Sequence, residues 1–284
     1  MSRPIDRRSA LLVGTGALAA GLLAACGSGD SSGKTVAATT VPASTDNASL
    51  TASTPFYVAH RGGSANWPEM TMFAYDHAVA AGMKALEISV QRSSDGVFVG
   101  CHDATTARVT GVEKTVASTP WAELSKLSVK SPVAGQPAAR MTRIETVLDA
   151  YASDHVIFLE DKTYKNAAPL LELVRRYPKY RNHFFWKVYG LSNKSAIAAG
   201  TEAGLPTWGY FFAPGMTHFA AHAPLFDWVG IDYHCTDAQL LQAKSAGKPM
   251  IGHVVSTAAQ RDRLLGAGCR GLVLANVAGL APKA

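Results

Sequence analysis

Apolar runs and segments of helical pattern alternate along the chain from Phe56 onward. The runs are short and rich in β-branched and aromatic residues, which is typical of buried strands. Eight such runs over about 230 residues predict an α/β fold, the (β/α)8 TIM barrel. An open doubly wound sheet is the alternative, and it is disfavoured because no glycine-rich phosphate turn follows the first run. The predicted strands are 56–60, 84–91, 156–162, 183–189, 206–212, 228–233, 249–255 and 271–276, and the predicted helices are 69–81, 144–153, 168–177, 194–203, 236–246 and 257–266.

An extra element interrupts this alternation after the second predicted strand. The segment SSDG at 93–96 is a turn signal, and VFVGCH at 97–102 predicts another strand that follows too closely for a helical crossover. The two strands therefore predict a β-hairpin insertion. A turn centred on residues 94 and 95 places Glu87 across from His102, whereas a turn centred on 95 and 96 places Ser89 there.

The N-terminal segment has the pattern of an export signal. Residues 1–8 are polar and basic, and residues 10–25 form an apolar run that is short for a membrane span, so 1–25 predict a signal peptide. Arg7 and Arg8 resemble a twin-arginine signal, and the sequence LAAC, which ends at Cys26, resembles the bacterial lipobox. Ordinary cleavage with an incidental Cys26 is the alternative. We expect an exported protein that is lipid-anchored through Cys26 on the outer face of the bacterial cytoplasmic membrane.

Composition divides the rest of the chain into a tether and one domain. Residues 26–54 consist largely of Ser, Thr, Ala and Gly, which predicts a flexible tether after the lipidated cysteine, and residues 55–284 then contain the barrel. The 284 residues are 48% hydrophobic, enough for a sizeable core. Three arginines and one aspartate in residues 1–25 supply +2 of the formal net charge of +6. The remaining basic residues are scattered, so nucleic-acid binding is not indicated.

Charged residues and histidines lie at the carboxyl ends of the predicted strands, where this type of barrel has its active site. Unpaired charges there would be costly in a structural core. The combination suits metal-assisted displacement at phosphorus, because a divalent cation takes carboxylate oxygens, Lys and Arg neutralise phosphate, and two histidines serve as base and acid. The candidates are His60, Arg61, Glu87, His102, Asp103, Glu160 and Lys162, with Lys187, Asp232, His234 and His253 as further pocket residues.

Several motifs occur in the order and spacing of a known family. The chain is similar to the glycerophosphodiester phosphodiesterases from about Tyr57 to Asn276, and the joint occurrence of these motifs is more specific than any one of them. The matching segments are AHRGG (59–63) with PEMT (68–71), LEISV (86–90), DGV (95–97), CHD (101–103) and LEDK (159–162), which resemble the family's H-R-G…P-E-N-T, E-x-D-V, D-G-V…H-D and E-x-K patterns.

The resemblance implies hydrolysis of a glycerophosphodiester to glycerol 3-phosphate and an alcohol, on a barrel with the hairpin as its insertion. It also implies roles for individual residues. Glu69 lies at the start of a helix and is interpreted as positioning its loop. The implied roles are an acid/base pair for His60 and His102, binding of the substrate phosphate for Arg61 and Lys162, and coordination of Ca²⁺ or Mg²⁺ for Glu87 and Glu160.

The chain departs from the family pattern at three places. Met70 replaces the signature Asn, and Ala275 with Asn276 replaces a late T-D pair. Ser89 replaces the second metal carboxylate of E-x-D, which leaves Ser89 as a weak candidate ligand.

Two alternative functions stay open. One is a related phospholipase D-like barrel acting on lysophospholipid or sphingolipid head groups, and the other is a phosphodiester-binding lipoprotein that has lost catalysis, for which Ser89 is the main support.

Overall fold

The computed structural model describes residues 45–281, so the predicted signal peptide, Cys26 and the first part of the predicted tether lie outside the described residues. Within this range, eight parallel strands close into a barrel, because the first strand pairs with both the second and the last. The predicted TIM barrel is confirmed, and each barrel strand begins and ends within two residues of its predicted range. In chain order the strands are β1 (Phe56–Ala59), β2 (Ala85–Arg92), β3 (Phe98–Gly100), β4 (Ser128–Val129), β5 (Ala139–Arg140), β6 (Val156–Asp161), β7 (Phe184–Tyr189), β8 (Thr207–Phe211), β9 (Trp228–Asp232), β10 (Met250–Val255) and β11 (Gly271–Leu274), of which β3, β4 and β5 are not part of the barrel.

Helices connect the barrel strands, and short polar residues determine where several of them begin. The side chains of Thr71, Asn193, Thr236 and Thr257 each accept a backbone N–H of the first helical turn, which would otherwise lack a partner. Over residues 45–281, no helix is long and apolar enough to cross a membrane. The α-helices are α1 (Asn47–Ala52), α2 (Met72–Ala80), α3 (Ala107–Thr110), α4 (Trp121–Leu124), α5 (Ile144–Tyr151), α6 (Ala167–Val174), α7 (Tyr180–His183), α8 (Lys194–Glu202), α9 (Phe219–His222), α10 (Asp237–Ser245), α11 (Ala258–Gly266) and α12 (Val277–Leu280).

The hairpin insertion is present, but both predicted registers are wrong. Strand β2 extends beyond the barrel and pairs antiparallel with β3, with Val90 opposite Gly100. The turn centres on Asp95, halfway between the two predicted centres, because Ser93 accepts from the N–H of Val97 and Gly96 adopts a left-handed φ of 88°. The ladder ends at residue 100, so cross-strand pairing places neither Glu87 nor Ser89 opposite His102.

The segment between β2 and β6 has a small apolar core of its own. This core holds the loop that begins at Cys101 and carries His102 and Asp103 above the barrel. The loop is therefore attached to a packed unit rather than to the end of a free hairpin. The core residues are Val99, Cys101, Val116, Leu124, Val129 and Met141.

The last part of the predicted tether belongs to the folded domain. The tether was assigned to residues 26–54, but Asn47–Ala52 form helix α1, and Leu50 is buried against the apolar interior of the barrel. Asp46 and Ser49 make reciprocal bonds in a capping box, which fixes the start of this helix. The side-chain amide of Asn47 also donates to the backbone oxygen of Phe184. Composition missed this helix because its polar residues and its single large apolar side chain, Leu50, resemble a Ser/Thr-rich linker.

Candidate active site

The inward faces of the barrel strands change from apolar to charged towards their carboxyl ends. Side chains alternate along a strand, so Ala85, Glu87 and Ser89 of β2 share one face, as do Phe158 and Glu160 of β6. Glu87, Ser89 and Glu160 are fully buried. The charged layer therefore lies directly above an apolar one, which contains Val58, Ala85, Phe158, Phe185, Trp208, Ile251 and Val273.

The Lys187 side chain joins the two buried glutamates. Its Nζ lies 2.7 Å from Oε1 of Glu87 and 2.6 Å from Oε2 of Glu160. The register explains this contact, because Leu159 pairs with Trp186 and the next residue on each strand points inward. The ammonium is 4.8 Å from the centroid of the Tyr210 ring, which favours a cation at this position.

Ser89 completes the contacts between the glutamates. Its Oγ is 2.9 Å from Oε1 of Glu87 and 3.2 Å from Oε2 of Glu160, so one hydroxyl proton is shared between two carboxylates. The backbone N–H of Arg61 donates to the remaining oxygen of Glu87 at 2.9 Å. Both oxygens of Glu87 are therefore occupied by donors.

Glu160 also has both of its oxygens occupied. Its Oε1 accepts from Lys162 at 3.1 Å, from the Tyr164 hydroxyl at 3.0 Å and from the Tyr210 hydroxyl at 2.7 Å. Lys162 and Glu160 are two residues apart at the end of β6, which places their side chains on the same face as predicted. The cluster of Glu87, Glu160, Lys162 and Lys187 contains two negative and two positive formal charges.

These charges stabilise one another in the buried site. Burial alone would raise the pKa of Glu87, but Lys187, together with His60 and Arg61, holds it well below its usual range. The pKa of Glu160 is lowered against the same effect of burial by Lys187. Burial acts to lower the pKa of Lys187, whereas the two carboxylates raise it above its ordinary value. All three groups are therefore charged at neutral pH.

His60 and Arg61 lie in a tight turn at the carboxyl end of β1. Arg61 has a φ of 51°, and Gly62 and Gly63 also have positive φ values, so the chain reverses within a few residues. A side chain at position 63 would collide with the Trp67 ring, which accounts for glycine there. Nδ1 of His60 lies 2.9 Å from Oγ of Ser64, which leaves Nε2 for proton exchange.

His102 is oriented by a chain of ion pairs. Its Nδ1 is 2.8 Å from Oδ1 of Asp103, and Oδ2 of Asp103 accepts from Arg108. Glu69 pairs with Arg108 at 2.7 Å and with Arg61 at 3.3 Å. The predicted positioning role of Glu69 thus has a geometric basis, because its carboxylate connects the loops of both histidines.

Both candidate histidines favour the neutral form. Burial lowers the pKa of His60 well below its ordinary value, and Arg61 adds to this effect. Burial, Arg61 and Lys162 lower the pKa of His102, against a smaller opposing effect of Asp103. A charge on His102 also lowers the pKa of His60, which is a smaller effect than burial. At neutral pH each ring has a lone pair available for a proton.

The remaining pocket candidates are placed differently. His234 is largely exposed and pairs with Asp232 at 2.9 Å, outside the charged cluster. The Asp232 carboxylate also accepts the backbone N–H of His234, and Thr236 caps the helix that follows. His253 is buried beside the rings of Tyr210 and Phe212, and its Nε2 has no hydrogen-bond partner among residues 45–281.

The tyrosines of this site, and the contacts of Lys187, were not predicted. The aromatic run PTWGYFF at 206–212 predicts packing for Tyr210, but the Tyr210 hydroxyl donates to Glu160. One signal was available for Lys187. It is a lysine inside the apolar run HFFWKVY, two residues from Phe185 and Tyr189 on the same strand face. A charge at an inward position one strand after Glu160 indicates a buried ion pair.

Comparison with known proteins identifies the family. Residues 60–203, about half of the chain, match the model of the Glycerophosphoryl diester phosphodiesterase family. The chain belongs to this family. The matched range contains both candidate histidines, both buried glutamates and Lys187. The family resemblance noted from the motifs is therefore confirmed.

Curated relatives in this family match part of the chain. The Mus musculus protein named Lysophospholipase D GDPD1 is 30% identical over 149 residues, which are 50% of this chain and 46% of that protein. The Bacillus altitudinis protein named Glycerophosphodiester phosphodiesterase is 37% identical over 68 residues, which are 24% of this chain and 28% of that protein. The chain spans about half of the length of the first relative and about a quarter of the second.

Solved structures of the family share the barrel. An Oleispira antarctica phosphodiesterase in complex with the product sn-glycerol-3-phosphate has a TM-score of 0.65 at 20% identity, over 78% of this chain and 94% of that one. The Glycerophosphoryl Diester Phosphodiesterase Domain of a Mycobacterium tuberculosis protein has a TM-score of 0.63 at 22% identity, over 80% and 97%. At these identities the likeness establishes the fold.

The residues of this site do not fit the divalent cation on which the family generally depends. Hard cations take several oxygen ligands with free lone pairs. Here Lys187 lies between Glu87 and Glu160, and donors occupy all four of their carboxylate oxygens. Among the residues that the structure describes, no group of three His, Cys, Asp or Glu side chains could hold a metal. Metal binding by Glu87, Glu160 and Ser89 therefore stays a prediction from the resemblance.

Proposed function

We propose that this protein hydrolyses glycerophosphodiesters to glycerol 3-phosphate and an alcohol. One observation carries the proposal. Two histidines, each with Nδ1 held by a neighbour, lie at the same barrel mouth as two cations. Membership of the family supports the same substrate class.

The reaction needs two proton transfers, and the histidines supply them. Asp103 accepts from Nδ1–H of His102, so Nε2 carries the lone pair and takes the proton of the attacking water. The water oxygen bonds to phosphorus, and the bond between phosphorus and the alcohol oxygen breaks. His60 donates a proton to the departing alkoxide, because a bound phosphodiester anion favours its protonated form. The proton gained by one ring balances the proton lost by the other.

Two cations are suited to hold the phosphate. Arg61 is largely buried, and its Nε has no hydrogen-bond partner within residues 45–281, which leaves a donor for a phosphate oxygen. Lys162 Nζ lies beside Glu160 and Tyr210 at the inner wall of the mouth. Both cations would stabilise charge that develops on the phosphoryl oxygens during displacement.

A lysophospholipid is the second candidate substrate, because apolar aromatic surface borders the mouth. Phe212 is 45% exposed, and its ring centroid is 5.9 Å from that of Tyr189 and 5.6 Å from that of Tyr210. A large exposed aromatic ring beside a polar site suits an acyl chain. One matching relative is named a lysophospholipase D.

An assay on two substrates tests these proposals. Purified protein would be incubated with glycerophosphocholine or with lysophosphatidylcholine, and release of glycerol 3-phosphate, lysophosphatidic acid and choline would be measured. We expect glycerol 3-phosphate from the first substrate. Faster turnover of the second would favour the lysophospholipid. Binding of both substrates without hydrolysis would favour the lipoprotein that has lost catalysis.

A further inference from the structure

The centre of the charged cluster is occupied by an ammonium group that belongs to the chain. Lys187 Nζ contacts one oxygen of each buried glutamate, at 2.7 and 2.6 Å. A divalent ion that bridged the same oxygens would require distances of about 2.0–2.6 Å to each. The ammonium therefore fills the place in which a bridging cation would be held.

Ser89 and Lys187 complement each other in charge. The family pattern has a carboxylate at position 89, which would add a third negative charge between Glu87 and Glu160. With Ser89 there are two carboxylates, and the ammonium of Lys187 with that of Lys162 balances them. A neutral hydroxyl that bonds both carboxylates suits a site with an internal monovalent cation.

The position of Lys187 is fixed by its surroundings. The residue is 7% exposed, and its ammonium lies 5.9 Å from the centroid of the Trp208 ring and 4.8 Å from that of the Tyr210 ring. Withdrawal of the side chain would leave two carboxylates buried without compensation, which is costly. A divalent ion would have to displace this ammonium before it could bind.

We propose that the Lys187 ammonium takes the place of the divalent cation, so that this family member holds its site together without a metal. The proposal rests on the proposed function where it concerns hydrolysis, and it makes a separate statement about metal binding. The internal cation keeps Glu87 in place to accept the backbone N–H of Arg61, and this bond positions the turn that carries His60.

The first test uses the wild-type protein. After treatment with a chelator and desalting, MgCl2 or CaCl2 would be titrated into the protein without substrate in a calorimeter. We expect no saturable binding up to about 10 mM and no rise in Tm with either metal. Hydrolysis of glycerophosphocholine should be the same in chelator as in added metal.

The second test removes the ammonium group and adds a carboxylate. In the double variant, Lys187→Ala leaves an empty space between Glu87 and Glu160, and Ser89→Asp adds the third carboxylate of the family pattern. This variant should bind Ca²⁺ or Mg²⁺ at least about tenfold more tightly than wild type, and about 10 mM metal should raise its Tm by about 3 °C. Lys126→Ala is the matched control, because it removes an exposed lysine that is not part of the charged cluster. This variant should respond to metal as wild type does.

Each outcome bears on the proposal. Saturable binding of either metal to wild type below about 10 mM, or hydrolysis that chelator abolishes and metal restores, would overturn it. A folded double variant with no metal response would overturn it as well, and if that variant does not fold, the wild-type titration decides. Wild type that binds no metal and hydrolyses neither substrate would end the proposed function and uphold the inference. Wild type that hydrolyses only with metal would end the inference alone.

Discussion

At the scale of single residues, proton chemistry and charge compensation are assigned to different groups. His60 and His102 each use Nδ1 for orientation and have lowered pKa values, so both rings are neutral at neutral pH before substrate binds. In the charged cluster, Lys187 donates to both Glu87 and Glu160, and Ser89 donates to Glu87 as well, so these buried charges compensate one another. We infer that substitutions of the histidines affect turnover, whereas substitutions in the charged cluster also affect stability.

Removal of either histidine should nearly abolish hydrolysis. A general acid or base contributes about 10² to 10⁴ in rate, so His60→Ala and His102→Ala should each lower kcat at least about 100-fold. The double variant should be hardly slower than either single variant, because the two groups act as one unit. Steady-state kinetics with glycerophosphocholine would measure this, with the exposed His218→Ala as control. Losses below about tenfold that multiply in the double variant would show that the rings merely shape the pocket.

Asp103 should raise the pKa of His102. Its carboxylate favours the imidazolium, against the stronger effects of burial, Arg61 and Lys162. Asp103→Asn removes that charge and leaves Arg108 with Glu69 as its only carboxylate partner among residues 45–281, and both changes disfavour an imidazolium at position 102. The pKa of His102 should therefore fall further below its ordinary value.

Titration of the histidine ring resonances by NMR would measure this shift, with the missing signal of His102→Ala as the assignment. The exposed Asp262→Asn is the matched control and should leave the His102 titration unchanged. An unchanged or higher His102 pKa in Asp103→Asn would contradict the positioning network.

At the scale of elements, the strands provide two different surfaces. On β8, Trp208 and Tyr210 point into the barrel, whereas Gly209 lies on the outer face against the Phe226 ring. The absence of a side chain at 209 lets the loop before β9 pack directly on the strand. Close packing of this kind holds the carboxyl end of β8, and with it the Tyr210 hydroxyl, at the site.

Gly209→Ala should destabilise the barrel. The new methyl group would collide with the Phe226 ring, which is 1% exposed and cannot move into solvent. Overpacking of this kind lowers the free energy of unfolding by about 1–3 kcal/mol. Gly266→Ala is the control, because it lies in α11 with open space around it, and it should leave that free energy unchanged or raise it by up to about 1 kcal/mol. Urea denaturation would compare the two, and equal stability would show that this face is loosely packed.

At the scale of the whole molecule, the closed barrel gathers residues that are distant in the chain. His60 and Glu160 are separated by 100 positions, yet closure between β1 and β2 and pairing of β2 with β6 bring their strand ends to one mouth. Helix α1 lies against the interior core through Leu50, so residues from Asp46 onward belong to the folded domain rather than to the predicted tether. Attachment to the cell envelope is a separate property, proposed from residues 1–26.

Cys26→Ser should release the protein from membranes. We propose that Cys26 carries the lipid, so its loss should move the exported protein from the membrane to the soluble fraction, while hydrolysis by the purified barrel stays unchanged. Fractionation of expressing cells would measure the location of the protein, metabolic labelling with a fatty acid would measure its lipidation, and an assay of the purified protein would measure hydrolysis. Ser31→Ala in the same segment is the control and should stay membrane-bound. A wild-type protein that is fully soluble after export would contradict the anchor.

Local patterns in the sequence were sufficient to predict the order of strands and helices and to identify the candidate groups. Alternation of apolar runs with helical segments depends on local periodicity, which is why strand limits agree within two residues. The motifs at His60, His102 and Glu160 likewise need no long-range information, because each occurs in a short segment.

Which of these groups come into contact depends on the folded barrel. The hairpin register depends on backbone geometry at Asp95 and Gly96, which apolar patterning does not distinguish, so both predicted registers failed. The contact of Lys187 with Glu87 spans 100 positions and arises from strand pairing around a closed barrel. Local sequence carries the chemistry of each side chain, but charge compensation depends on distance in space, and barrel closure sets that distance.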